Sequence, residues 1–113
     1  MIYIASPYTH ADTAVQAYRF EAVCQLVADL TLKGNVVISP IIHSHPLFVR
    51  RPEIGGQWDQ WIALDTDLIT GSEEIWVFTL EGWEQSKGVQ AEINIARALN
   101  KPVRYVDRAG RID

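Results

Sequence analysis

Cysteine is almost missing from the sequence. Cys24 is the only one in 113 residues, so no disulfide can form within the chain, and the disulfide-dense secreted scaffolds are excluded. Its place in an apolar helical pattern reads as a core thiol rather than a nucleophile. Basic charge is also in short supply. Ten Lys and Arg against 14 Asp and Glu leave a formal net charge of -4, which argues against the broad basic face that nucleic-acid backbones require. No run approaches the roughly 18 apolar residues of a membrane span. The opening MIYIASPYT has no basic stretch ahead of a long apolar segment. The expectation is a soluble, cytoplasmic protein with no nucleic-acid or membrane partner. Repeats, low-complexity segments and linkers are absent too. No G-x-G-x-x-G follows the first apolar strand, which removes the default dinucleotide-dependent oxidoreductase. His43 and His45 have no second cysteine or helical His-x-x-x-His partner, so neither a metal nor a cofactor is expected.

Apolar residues are plentiful. They make up 48% of the chain, enough at this length for one packed domain spanning residues 1–113. Ile2 to Ala5 reads as a short strand running into a polar turn, Ser6 to Thr9. Thr9 or Asp12 then caps a helix whose stripe is Val15, Tyr18, Ala22, Val23, Leu26, Val27 and Leu30. That helix ends near Lys33-Gly34, and Asn35 to Ser39 forms a second strand, completing a right-handed βαβ unit. After Pro40 the periodicity dissolves for about 17 residues, to Gly56, which predicts a lid or binding loop. Regular structure resumes near Gln57 with a helix carrying Trp58, Trp61, Ile62, Leu64, Leu68 and Ile69. Glu74 to Leu80 is apolar enough for a strand buried on both faces. The next helix has Val89, Ile93, Ala96 and Leu99 as its inner stripe. Val103 to Val106 is a last strand, followed by a polar, frayed tail. The alternation predicts an α/β, Rossmann/flavodoxin-like three-layer sandwich with a four- to five-stranded, mainly parallel sheet.

In such a sheet ligands bind beyond the carboxyl ends of the strands. Three segments meet there: Ser6 to Tyr8, the stretch with His43 and His45, and Glu81 to Ser86. The last leads into SKGVQAE. Ser86 is a good N-cap, and the backbone N–H groups of Lys87 and Gly88 offer a seat for an anion at the positive end of the helix. Glu92, four residues beyond Gly88, shares its face and leans toward that seat. An N-cap serine, a packing glycine and an exposed glutamate would produce the same spacing. Arg19 offers a cation or is a solvated helix residue; His45 lines a pocket or caps a loop. Trp76 reads as core, Trp83 as a pocket rim, and Trp58 and Trp61 as core or a subunit interface.

MIYIASPYT, the Asp65 region and LEGWEQSKGVQAEINIARALNKPV together resemble the nucleoside 2-deoxyribosyltransferase superfamily, which includes the 2'-deoxynucleoside 5'-monophosphate N-hydrolases. The superfamily's Ser/Asp-x-Gly-x-x-x-Glu element is matched by Ser86, Gly88 and Glu92, although the stretch from Pro40 to Gly56 does not align clearly. The resemblance implies cleavage of an N-glycosidic bond, with Glu92 as nucleophile, Asp65 holding the base and assisting its protonation, and Tyr8 positioning Glu92 or the sugar. Ser6, Ser86, Gly88, Arg19, His45 and Trp83 would bind the substrate. Serine at position 86 matches the monophosphate hydrolases, and a hydroxyl with free N–H groups suits a phosphate that a carboxylate would repel. The implied partners are a small nucleotide or nucleoside and further copies of the chain, as a dimer or tetramer. Transfer to a second base, or nucleotide binding without turnover, are the alternative outcomes.

Overall fold

The computed structural model describes residues 1–55 and 58–113, with the backbone alone for Trp58. Strand β1 (Ile2–Ala5) leads to helix α1 (Thr13–Leu32), capped by Asp12, whose Oδ1 accepts from the Ala14 N–H at 2.9 Å. Strand β2 (Val37–Ile38), helix α2 (Pro40–Arg50) and helix α3 (Ile62–Thr70) follow. Strand β3 (Glu74–Phe78), helix α4 (Lys87–Ala98) and strand β4 (Val103–Val106) complete the order. Among the described residues the sheet has four strands, all parallel, in the order β2-β1-β3-β4.

Strand alternation sorts the core into two halves. Tyr3 and Ala5 of β1, with Ile75 and Val77 of β3, face α3 and α4 and pack on Ile69, Val89, Ile93 and Ala96. Ile4, Trp76, Phe78 and Val106 turn the other way, against Val23, Leu26 and Leu30 of α1. Helices therefore cover both faces, and the sandwich has three layers. The chain moves outward from β1 to β2, then returns to place β3 on the far side of β1. The strand order reverses between β1 and β3, and a crevice opens at their carboxyl ends.

The structure departs from the sequence reading in four places. The stretch after Pro40, expected as a loop, is mostly helix: α2 is followed by a short 3-10 turn, Pro52–Ile54. Ser39-Pro40 is a helix start, with proline at the first helical position, where its missing N–H costs nothing. Pro46 inside the helix masks the periodicity. Regular structure then resumes in two pieces, a 3-10 turn Trp58–Gln60 and α3, while Gly56 and Gln57 lie outside the described residues. Leu99 does not join the inner stripe; it follows the last turn of α4 and is 41% exposed. The tail is not frayed. The Asp107 carboxylate accepts from the N–H groups of Ala109 and Arg111, and Ile112 bridges back to Val106.

Trp76 is core, as read, and Cys24 is half-buried in α1. Among the described residues no helix is long and apolar enough to cross a membrane. The corrected stripe of α4 makes a direct contrast. Ile93→Ala is expected to cost roughly 2–5 kcal/mol in urea denaturation. Leu99→Ala should stay within about 0.5 kcal/mol of the parent. Equal losses would contradict the packing described.

Candidate active site

Helices α3 and α4 each deliver a carboxyl to the crevice between β1 and β3, and β1 supplies a tyrosine that touches one of them. Tyr3 occupies a buried position on β1 and points to the α3/α4 side. Asp65 stands in the first turn of α3, and Glu92 projects from α4 on the face that also carries Val89, Ile93 and Ala96. Glu92 is 4% exposed and Asp65 5%, so Glu92 is not the exposed glutamate that spacing alone allowed. The Tyr3 hydroxyl donates a hydrogen bond to Glu92 Oε2. Asp65 Oδ1 is buried with no hydrogen-bond partner among the described residues, and the same holds for the Ser6 hydroxyl at the end of β1.

Ser6, Asp65 and Glu92 line a cleft of about 600 Å³, within the range of small-molecule sites. Asp65 and Glu92 both contribute to its wall, and the start of α4 supplies Ser86, Lys87 and Gly88. Ser86 is the N-cap: its Oγ accepts from the Val89 N–H at 3.2 Å. Capping leaves the N–H groups of Lys87 and Gly88 at the positive end of the helix, where an anion is favoured. The opposite side is built from the first turn of α2, through Ile41 and Ser44.

The electrostatics follow from burial. Asp65 is pushed up to about 7 by desolvation. Glu92 is lifted well above the ordinary carboxylate range, by burial first and then by the neighbouring Asp65 charge, while the Tyr3 hydroxyl pulls it back down. Among the described residues neither carboxylate is paired with a cation. Two like charges in one dry site titrate as a pair, and near neutral pH this pair keeps a proton that free carboxyls would have lost. Tyr3 shifts up as well, by burial and by the Glu92 and Asp65 charges, so its hydroxyl stays a donor.

Glu92, Asp65, Tyr8, Ser6, Ser86 and Gly88 are thus gathered at one cleft, as the sequence predicts. Tyr8 lines the wall, but its hydroxyl meets His45 Nδ1 at 2.6 Å rather than Glu92. The residue that touches Glu92 is Tyr3, which sequence reading missed. A tyrosine inside a fully buried strand needs a partner for its hydroxyl, and that was the available signal.

Three expected cleft residues lie elsewhere. His45 sits behind Tyr8, stacked on Phe20, because α2 is a helix and turns this ring toward α1. Trp83 packs on Tyr105 and the α4 side of the core. Arg19 braces two loops instead of facing the cleft: its Nη1 donates to the Thr9 carbonyl at 3.0 Å, and its Nη2 lies where a Cβ on Gly82 would sit. Trp61, read as core or interface, lines the cleft, while His43 is exposed. The Trp58 side chain lies outside the described residues.

The raised carboxyl has a measurable consequence. Because the folded state holds the Asp65 proton more tightly than the unfolded chain, stability falls as pH rises from about 3.8 to about 7. The slope from one such group is at most about 1.4 kcal/mol per pH unit. Asp65→Asn is expected to flatten this limb and to gain on the parent as pH increases. Denaturation midpoints whose difference does not change across that window would contradict the assignment.

None of the curated proteins matches the chain. A family model does, over residues 1–108, which takes in every strand and helix that shapes the cleft. The chain belongs to the family described as Domain of unknown function (DUF1937).

Proposed function

We propose that the chain hydrolyses the N-glycosidic bond of a nucleoside 5'-monophosphate, releasing the free base, and that its resemblance to the nucleoside 2-deoxyribosyltransferase superfamily reflects this chemistry. The observation that carries the reading is the buried Glu92–Asp65 pair at the wall of a cleft that also holds the amino end of α4. Breaking the bond leaves positive charge on the anomeric carbon and negative charge on the base. The site must therefore supply a carboxylate on one side and a proton on the other, and a pair that retains one proton near neutral pH holds both.

In the reacting form of the pair the one retained proton is on Asp65 and Glu92 is ionised. In the first step Glu92 attacks C1', the C1'–N bond breaks with its electrons going to the base, and Asp65 delivers that proton to the departing nitrogen. A glycosyl ester on Glu92 results. In the second step Asp65, now a carboxylate, takes a proton from water, whose oxygen attacks C1' and frees Glu92. The products are the base and the sugar phosphate, and both carboxyls return to their starting states. Tyr3 holds one oxygen of Glu92, which orients the other and favours the ionised form. The growing positive charge on the sugar favours it further in the transition state. The phosphate sits at the amino end of α4, where the Ser86 hydroxyl and the backbone N–H groups of Lys87 and Gly88 suit an anion.

The purified protein is to be incubated with nucleosides and their 5'-monophosphates, ribo and deoxy, with and without a second base, and assayed for free base by chromatography. Base is expected from monophosphates. Glu92→Gln keeps the volume and an acceptor for Tyr3 but removes the nucleophile, and the rate should fall by at least about a thousandfold. A variant retaining most of the parent rate would overturn the mechanism. Base exchange in place of release would mark a transferase, and binding without cleavage a nucleotide sensor.

Ser86→Asp places a negative charge at the phosphate seat. Monophosphate turnover should weaken more than nucleoside turnover, in kcat/KM, and equal losses would refute the phosphate assignment.

A further inference from the structure

Tyr8, on the cleft wall, and His45, behind it, form a second polar pair, separate from the carboxyls. Tyr8 lines the wall, and among the described residues its hydroxyl meets His45 Nδ1 at 2.6 Å. His45 is itself clamped. Its ring stacks on Phe20 of α1 with centroids 4.2 Å apart and planes 26° from parallel, and it meets the Tyr8 ring edge-on at 5.5 Å. The stack fixes the imidazole so that one chosen nitrogen, Nδ1, is aimed at the phenol.

We propose that His45 takes up the donor capacity of the Tyr8 hydroxyl, so that Tyr8 faces the cleft as a hydrogen-bond acceptor and selects ligands that present a donor to it. Direction follows from the chemistry of the two groups. A phenol is the better donor, and the unprotonated imidazole nitrogen is a better acceptor than a phenol oxygen. Burial holds His45 below its ordinary value while the Glu21 charge acts the other way, and Tyr8 is raised by burial, so both stay neutral near pH 7. With its one proton committed to His45, Tyr8 has only lone pairs to offer.

A phosphate, which also offers only acceptors at neutral pH, is therefore repelled from this wall and left to the α4 end. What suits Tyr8 is an O–H or N–H group: a sugar hydroxyl or an amino group on the base. His45 is a positioning residue in this scheme and Tyr8 the specificity determinant. The ligand assignment rests on the nucleotide reading of the cleft; the direction of the Tyr8–His45 hydrogen bond does not.

The test has two arms. Heteronuclear NMR of the imidazole nitrogens, on the protein without ligand at neutral pH, reads the His45 tautomer. The expected form carries its proton on Nε2 with Nδ1 accepting, and Tyr8→Phe should shift the Nδ1 resonance toward that of a free acceptor. A proton on Nδ1 would overturn the proposal.

The second arm measures equilibrium binding of nucleoside 5'-monophosphate pairs that differ by one donor. Ribo against deoxy tests the sugar hydroxyl, and amino against oxo bases tests the base. The parent should prefer the donor-bearing member of one pair by roughly tenfold. Tyr8→Phe and His45→Leu should lose the preference, and His45→Asn, whose amide oxygen can replace Nδ1, should restore part of it. Undiminished preference in Tyr8→Phe would overturn the proposal. If no monophosphate binds, the nucleotide reading falls, and the tautomer alone decides the direction of the bond.

Discussion

Glu92 is buried on the face of α4 that otherwise packs against the sheet, between Val89, Ile93 and Ala96. An ionised carboxylate in such a place is strongly unfavourable unless it is hydrogen-bonded or protonated. Both remedies are present. Tyr3 reaches from β1 to donate to it, and burial raises both this carboxyl and Asp65 on α3, so that the two share a proton near neutral pH. Sheet, α3 and α4 thus meet in one buried polar cluster inside an apolar layer. Such a cluster is costly for stability, and its position at the wall of the cleft gives a chemical reason for it.

The same topology that places the cluster also opens the space above it. Because the strand order reverses between β1 and β3, the loops leaving these strands diverge and leave a crevice. Arg19 ties them together from α1. It holds the Thr9 carbonyl of one loop and passes beneath Gly82 of the other, where φ is +93° and a side chain would be strained. The cleft therefore has a braced rim, a carboxyl pair in its wall, and the amino end of α4 facing them. The turn after β1 adds a polar group of different character, the Tyr8 phenol held by His45 of α2.

Much of this was legible in the sequence, for reasons that can be named. The continuous apolar runs of β1 and β3 follow from burial on both faces and the apolar spacing of α1 and α4 from burial on one, so the parallel sandwich is legible in them. The cap at Ser86 and the glutamate two turns into α4 follow from helix geometry. The errors share a cause as well. Pro46 hid α2, and with α2 read as a loop, His45 was free to be placed in the cleft instead of behind Tyr8. The resemblance implies that Tyr8 positions Glu92 or the sugar, whereas the tyrosine that touches Glu92 is Tyr3 of β1. Which of two tyrosines reaches a carboxylate depends on strand direction across the sheet, which no local pattern encodes. Arg19, a cation for the substrate or a solvated helix residue by sequence, braces two loops, and Trp83, expected at the pocket rim, packs on Tyr105.

The central claim is that the buried pair retains a proton near neutral pH. Infrared difference spectra across a pH titration report protonated carboxyl groups directly, and comparison with Glu92→Gln and Asp65→Asn assigns them. The expected result is a protonated-carboxyl band that persists to about pH 7 and is diminished in each variant. If every carboxyl of the folded protein has ionised by about pH 5, as ordinary Asp and Glu do, the site is not poised as described.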